Sequence, residues 1–222
     1  MEFYLIRHGQ SVNNASPDAL EPDPGLTNVG RNQASCVGEA LKGKGIRRLY
    51  CSPMLRALQT AEIVGRMLSL PPHVCVGLHE WDGIWEASVG RYGATLPGLT
   101  RSQMREICPD VVLPNNVTDE GWLFSEWENV ELMLWRAYRD AKVFIQQAEA
   151  SHGESDERAA VVSHGGFLAT MICAFFDLTP NDDPDHFAHR NGAISKIRKT
   201  REVTQLRYLH RISHLPEEML TW

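Results

Sequence analysis

Two apolar runs that each pass directly into a histidine constrain this chain more than any other feature. Phe3-Tyr4-Leu5-Ile6 leads into Arg7-His8-Gly9, and Ala159-Ala160-Val161-Val162-Ser163 leads into His164-Gly165-Gly166. Short continuous apolar runs read as strands buried on both faces, the kind found in parallel sheets. Two such strands, each delivering a histidine at its end, suggest one site at one edge of a sheet.

The rest of the chain alternates strand and helix patterns. Strands are expected at 2–7, 46–51, 73–78, 159–163, 193–198 and 203–209. A helix is expected from the Thr27 cap to about Lys42, and another from Met54 to about Leu68, with Ser52 as cap and Pro53 at its first position. Further helices are expected at Thr100–Ile107, about Ser125–Ala150 and about Gly166–Phe176. This alternation predicts a three-layer α/β/α sandwich with a mostly parallel central sheet. Ligands of such sheets sit beyond the carboxyl ends of the strands, where Arg7-His8, Ser52 and His164 fall. Residues 10–25, rich in Asn, Asp and Pro, read as an irregular loop. The expected organisation is one domain over 1–222, with a lid that sets substrate specificity inserted at about 83–124.

Composition narrows the class. The 222 residues are 43% hydrophobic and 23% charged, as in a packed globule, and no apolar run approaches the about 20 residues of a membrane helix. Met1-Glu2-Phe3 shows no leader-like basic region, and the five cysteines are scattered without a Cys-x-x-Cys pair. A reducing, cytoplasmic setting without metal is expected. The net charge of −6 points away from nucleic acid and calls for a local basic pocket around any anion. The basic segment Arg190, Lys196, Arg198, Lys199, Arg201, Arg207 and Arg211 reads as a solvated face of the last strands.

The two strand-end histidines suit phosphoryl transfer. A neutral imidazole is a good nucleophile toward phosphorus, and its phosphoramidate is labile enough to be hydrolysed. The charged phosphoryl oxygens need preorganised cations and N–H donors. Arg7 adjoins His8 and has the fork geometry for phosphate, and Gly165-Gly166 opens a helix whose N–H groups can face an anion. Arg56, one turn into its helix, is the candidate third cation. Glu80, just past a strand end, is the candidate proton donor to the leaving alcohol.

These residues resemble the histidine phosphatase superfamily, which includes cofactor-dependent phosphoglycerate mutase. The matching blocks are Arg7-His8-Gly9-Gln10-Ser11 with Asn14, Leu26-Thr27 with Gly30, Gln33 and Ala34, Ser52-Pro53-Met54-Leu55-Arg56-Ala57-Leu58-Gln59-Thr60-Ala61, Leu78-His79-Glu80, Val162-Ser163-His164-Gly165-Gly166 and Asn191-Gly192-Ala193-Ile194-Ser195. They follow the family's order and span nearly the whole chain. The resemblance implies a phosphoglycerate mutase-like fold, a phosphorylated His8 and no cofactor. Arg7, Arg56 and His164 would bind phosphoryl oxygens with help from Asn14, and Glu80 would donate a proton and later activate water.

Two departures bear on function. The family's glycine after Trp-Glu is replaced here by Ala87, so Glu80, Asp82 and Glu86 all stay open as the acid, with Glu80 nearest the strand end. The basic, tyrosine-containing segment of mutases is replaced by Trp81-Asp82-Gly83-Ile84-Trp85, which favours a phosphatase for small phosphorylated metabolites. The alternatives are a mutase-type phosphotransferase, which would need a bisphosphate primer, and a catalytically weak phospho-ligand-binding protein. His73, His79, His152, His186, His189, His210 and His214 show no metal spacing and read as surface or structural. Trp122, Trp127 and Trp135 read as helix packing, while Trp81 and Trp85 are candidates to line the pocket. Arg91, Arg101 and Arg105 in the presumed lid read as solvated.

Overall fold

Phe3 and Leu5 face one side of strand β1 (Glu2–Arg7), Tyr4 and Ile6 face the other, and all four are buried. A strand packed on both faces must be central, and a computed structural model places it so. The structure describes residues 1–84, 96–123, 130–152, 157–180 and 187–222. Within them β1, β2 (Arg48–Cys51), β3 (Pro72–Val74), β4 (Arg158–Ser163), β5 (Ile194–Lys199) and β6 (Thr204–Arg211) form one sheet. Its order is β3-β2-β4-β1-β5-β6. The first four positions pair in parallel, while β5 runs antiparallel to β1 and β6 antiparallel to β5. Register is set by burial: Phe3 lies opposite Ala159 and Leu5 opposite Val161, so apolar rows coincide across strands.

Helices cover both faces. Tyr4, Ile6, Leu49, Cys51, Ala160 and Val162 pack in one cluster with Val37 and Leu41 of α2 (Asn28–Leu41) and with Ala57, Leu58, Ala61 and Val64 of α3 (Leu55–Leu68). Phe3, Leu5, Ala159 and Val161 pack in the other with α5 (Val130–His152) and α6 (Gly165–Phe175). On α5, Ala137, Ala141, Phe144, Ile145 and Ala148 make the helical stripe that meets the core. Residues Phe167 to Phe175 of α6 are all buried, so this helix is sunk beneath α5. Each fully buried Phe, Leu or Ile stabilises the fold by on the order of 1.5–3 kcal/mol. Residues 96–123, which include α4 (Arg101–Ile107), send Met104, Val117 and Trp122 into the first cluster.

Several local expectations are corrected. The third strand is only Pro72–Val74, and Val76–Leu78 is a 3-10 turn in which Leu78 N–H donates to Cys75 C=O. Gly77 is a poor strand residue, and the turn instead sinks Leu78 under α5 and α6. The helix after β2 starts at Leu55, with Met54 as its cap residue and no local side-chain cap. Its first N–H is met from a distance by Asp23, at 3.0 and 3.1 Å. Ser52 instead accepts from Met54 N–H. The loop after His8 is not irregular throughout: α1 (Val12–Ala15) is closed by a Ser11–Asn14 capping box. Thr27 caps α2 as expected, and Thr100, expected as the first residue of its helix, is the cap of α4. Residues 125–129 of the expected long helix lie outside the described residues.

Candidate active site

Four parallel strand ends converge: β1 leads to His8, β2 to Ser52, β3 through its turn to Glu80, and β4 to His164. They open on a cleft of about 220 Å³ lined by Arg7, His8, Asn14, Arg56, Glu80 and Asp82, among others. His8 and His164 lie with ring centroids 5.1 Å apart.

His8 is 3% exposed. Its Nδ1 donates to the Gly9 carbonyl at 2.6 Å, which leaves the lone pair on Nε2. Arg56 Nε donates to that Nε2 at 3.2 Å. Burial first, then the Arg56 and Arg7 charges, push the His8 pKa well below the usual histidine value, so the ring is neutral at physiological pH. Gly9 is required by packing: a Cβ there would meet the Gly30 carbonyl of α2 at 2.2 Å. Its N–H donates to Thr60 of α3 at 3.1 Å, so both helices fix the histidine loop.

His164 is fully buried and its Nε2 lies 2.7 Å from Ser52 Oγ. Met54 N–H, at 3.2 Å, can only donate to that oxygen, so we assign the hydroxyl proton to its other neighbour, Nε2. The imidazole proton then resides on Nδ1. Among the described residues, His164 Nδ1 and Arg7 Nε are buried polar atoms without a partner. Buried donors are seldom left unmet, so these two suit an anion. Arg7 donates through a terminal nitrogen to the His189 carbonyl, which anchors its fork. Burial lowers its pKa to about 10 against the pull of Glu80, and it stays charged.

Asn14 Oδ1 accepts from Ser11 N–H, Ser11 Oγ–H and Asn191 Nδ2 at 3.1, 2.9 and 3.2 Å. Its own amide N–H groups therefore remain as donors in the cleft wall. Asn191 also donates to the His8 carbonyl at 3.3 Å, linking the His8 loop to α1.

Glu80 caps α6. One carboxylate oxygen accepts from Phe167 N–H at 2.8 Å and Trp81 N–H at 3.2 Å, the other from Gly166 N–H at 3.2 Å. The N–H groups of Gly166 and Phe167 thus bind the Glu80 carboxylate, and Gly165 instead packs beside the Arg7 guanidinium. Burial raises the Glu80 pKa and Asp82 adds to this, while Arg56 and the N–H donors oppose it. Asp82 also lines the cleft, and Glu86, Trp85 and Arg91 lie outside the described residues. Trp81 packs in the cluster under α5 and α6, with its indole over Gly166.

Asp23 and Arg136 are not singled out in the sequence, and Ser52, placed there at a strand end, has a contact the sequence does not show. Asp23 pairs with Arg56 at 3.6 Å, Ser52 orients His164, and Arg136 bonds His79 and Trp81 on either side of Glu80. His79 and His189 are buried, and the last strands' cations are partly engaged: Lys196 pairs with Glu2 and Arg190 stacks on Trp222. Among the described residues, no group of three His, Cys, Asp or Glu is arranged to hold a metal, and no helix is long and apolar enough to cross a membrane.

The sequence pattern of the histidine phosphatase superfamily (branch 1) matches residues 3–211. The chain belongs to that superfamily. It is 27% identical over 201 residues to the adenosylcobalamin/alpha-ribazole phosphatase of Salmonella typhimurium, covering 89% of this chain and 90% of that one. It is 30% identical over 173 residues to a probable phosphatase of Schizosaccharomyces pombe, covering 77% of this chain and 55% of the relative. Against several other relatives it spans less than half their length. The crystal structure of a putative alpha-ribazole-5'-P phosphatase from Escherichia coli superposes with a TM-score of 0.64 at 25% identity, covering 95% of this chain and 97% of that one. The fold is the α/β fold of these phosphoglycerate mutase-like phosphatases, and the histidine phosphatase chemistry is general to the family.

Proposed function

We propose that this protein is a metal-independent phosphomonoesterase for small phosphorylated metabolites, working through a phosphohistidine on His8. The observation that carries the reading is the His8 tautomer: Nδ1–H is held by the Gly9 carbonyl, and the Nε2 lone pair faces Arg56. In the first step Nε2 attacks phosphorus and the bond to the leaving oxygen breaks, while that oxygen takes the Glu80 carboxyl proton. Arg7, Arg56, His164 Nδ1–H and the Asn14 amide hold the phosphoryl oxygens. In the second step Glu80 takes a proton from water, the water oxygen attacks phosphorus and the N–P bond breaks. Inorganic phosphate leaves, and neutral His8 and protonated Glu80 are restored.

Hydrolysis is favoured over a mutase by what surrounds the cleft. Among the described residues, its cations are Arg7 and Arg56, while Glu21 and Asp82 lie at the lining. Among the described lining residues, a second phosphate or a carboxylate on the substrate finds no further cation. A pure binding role accounts for neither the neutral buried nucleophile nor the buried acid. The segment at about 83–124 is the proposed lid and specificity element of a single domain. None of the five cysteines is in a disulfide, which is in keeping with a cytoplasmic enzyme.

The test is phosphate release from a panel of phosphometabolites in EDTA, comparing wild type with His8→Ala and analysing products for migrated phosphate. EDTA-resistant release that vanishes in the variant is expected. Migration without release means a mutase, and activity that survives in His8→Ala removes the phosphohistidine.

A further inference from the structure

The two arms of one guanidinium grip the residues immediately before and after Glu80. Arg136 of α5 donates from one terminal nitrogen to His79 Nε2 at 2.9 Å and from the other to the Trp81 carbonyl at 2.8 Å. We propose that Arg136 is a positioning residue that fixes the Glu80 carboxyl at the height of the leaving oxygen. The inference rests on the assignment of Glu80 as the proton donor.

Each part of the clamp is itself held. His79 gives its Nδ1 proton to the Val76 carbonyl at 2.7 Å, so Nε2 has a lone pair for Arg136. Burial, aided by Arg136, lowers the His79 pKa to about 4, which keeps this acceptor neutral and available. Trp122 packs against the His79 ring, with centroids 5.2 Å apart. Asp140, one helical turn after Arg136, lies 3.8 Å from the guanidinium and steadies it. Gly77 lets α5 come this close, since a Cβ there would meet Asp140 Cβ at 3.2 Å.

The clamp bears on catalysis because Glu80 sits outside regular structure, between the turn ending at Leu78 and the segment leading to Ile84. Its carboxylate is held to the start of α6, its N–H donates to Met54 Sδ and its carbonyl accepts from Gly83 N–H, while Arg136 ties down the residues on either side of it. A proton donor must lie within hydrogen-bond reach of the leaving oxygen, and a misplacement of about 1 Å costs on the order of 100-fold. A lysine keeps the charge but cannot bridge two acceptors with a planar fork.

The experiment compares an alkyl phosphate, whose alkoxide needs protonation, with p-nitrophenyl phosphate, whose phenolate leaves with little help. Arg136→Lys and Arg136→Gln are measured beside Glu80→Gln, and His79→Gln opens the clamp from its other side. The expected result is a kcat/KM loss about tenfold or more greater on the alkyl ester than on the aryl ester in each clamp variant. Arg136→Lys should not rescue it. An equal loss on both esters, or none, in the Arg136 and His79 variants overturns the role of Arg136, provided Glu80→Gln shows the difference. If Glu80→Gln treats both esters alike, the assignment of Glu80 falls and the positioning role falls with it.

Discussion

Arg56 Nε donates to His8 Nε2 across 3.2 Å, so the cation proposed to hold the phosphoryl group already sits on the atom proposed to attack it. The contact explains two properties together. It helps to keep His8 neutral, because protonating Nε2 would place two positive charges side by side. It also aims the guanidinium at the phosphorus position. Arg56→Ala should lower kcat by on the order of 10²–10³, the usual cost of one lost oxyanion donor. Steady-state kinetics on any active phosphomonoester check this, and a loss confined to KM contradicts it.

Asp23 lies on the far side of the same guanidinium, 3.6 Å from it, and also accepts from Leu55 N–H. Burial raises its pKa from 3.8 to about 6, against the pull of Arg56 and Leu55. Its carboxylate is therefore more easily ionised in the unfolded chain than in the folded one. This raised-pKa group favours folding fully below the unfolded value, and that contribution is lost as pH rises through the folded value. Between pH 3.8 and about 6 wild type should lose on the order of 3 kcal/mol relative to Asp23→Asn, with no further change above. Denaturant unfolding of both proteins across that window gives the difference. A flat difference would falsify the assignment.

The activity profile has a sign that differs for each catalytic group. As the proposed nucleophile His8 must be neutral, and its lowered pKa moves the acid limb below the usual histidine range. As the proposed proton donor Glu80 must be protonated, and its raised pKa moves the alkaline limb above the usual carboxylate range. For an alkyl phosphate, kcat/KM corrected for the substrate's own ionisation should fall on the alkaline side as Glu80 loses its proton. In Glu80→Gln that fall should disappear along with most of the activity. An alkaline limb that persists unchanged in the variant belongs to another group.

Ser52 acts through His164. Its hydroxyl, 2.7 Å from Nε2, places the ring proton on Nδ1, the atom buried without a partner. Ser52→Ala should weaken inhibition by inorganic phosphate by about tenfold, which corresponds to one hydrogen bond of about 1.4 kcal/mol. The fold should survive, since Met54 N–H loses one bond only. Unchanged phosphate affinity in a folded variant means that the tautomer is fixed some other way.

What the sequence makes legible follows from range. Buried strands such as β1 and β4 are readable because their own residues carry the apolar pattern. His8, Arg56, Glu80 and His164 are readable because each sits at a strand or helix junction; the first three line one cleft, and His164 is buried beside His8. β3 is misread because its apolar run continues past Val74 into a turn formed at Gly77. Asp23 looks like one more turn former among prolines, and its partners lie 32 and 33 positions away. Arg136 looks like a solvated helix residue, and its partner His79 is 57 positions away. The Arg136–Asp140 spacing was its one local signal. Side chains that act on other side chains across the fold leave no pattern in their own neighbourhood.

Gly166 offers the sharpest check on how the acid is held. A Cβ at this position would meet Trp81 Nε1 at 2.0 Å and Glu80 Oε1 at 2.8 Å, closer than carbon tolerates. The first turn of α6 can therefore receive the carboxylate only because residue 166 has no side chain. In Gly166→Ala the indole or the carboxylate must move. Moving the carboxylate costs the N–H bonds from Gly166 and Phe167 and shifts the proposed proton donor. Alanine is otherwise the better helix residue, by about 1 kcal/mol, so helix propensity favours the variant. Thermal unfolding should then change by only a few degrees while turnover of an alkyl phosphate falls by about 100-fold. Near-normal turnover would mean that Trp81 alone gives way and that Glu80 keeps its place without the glycine.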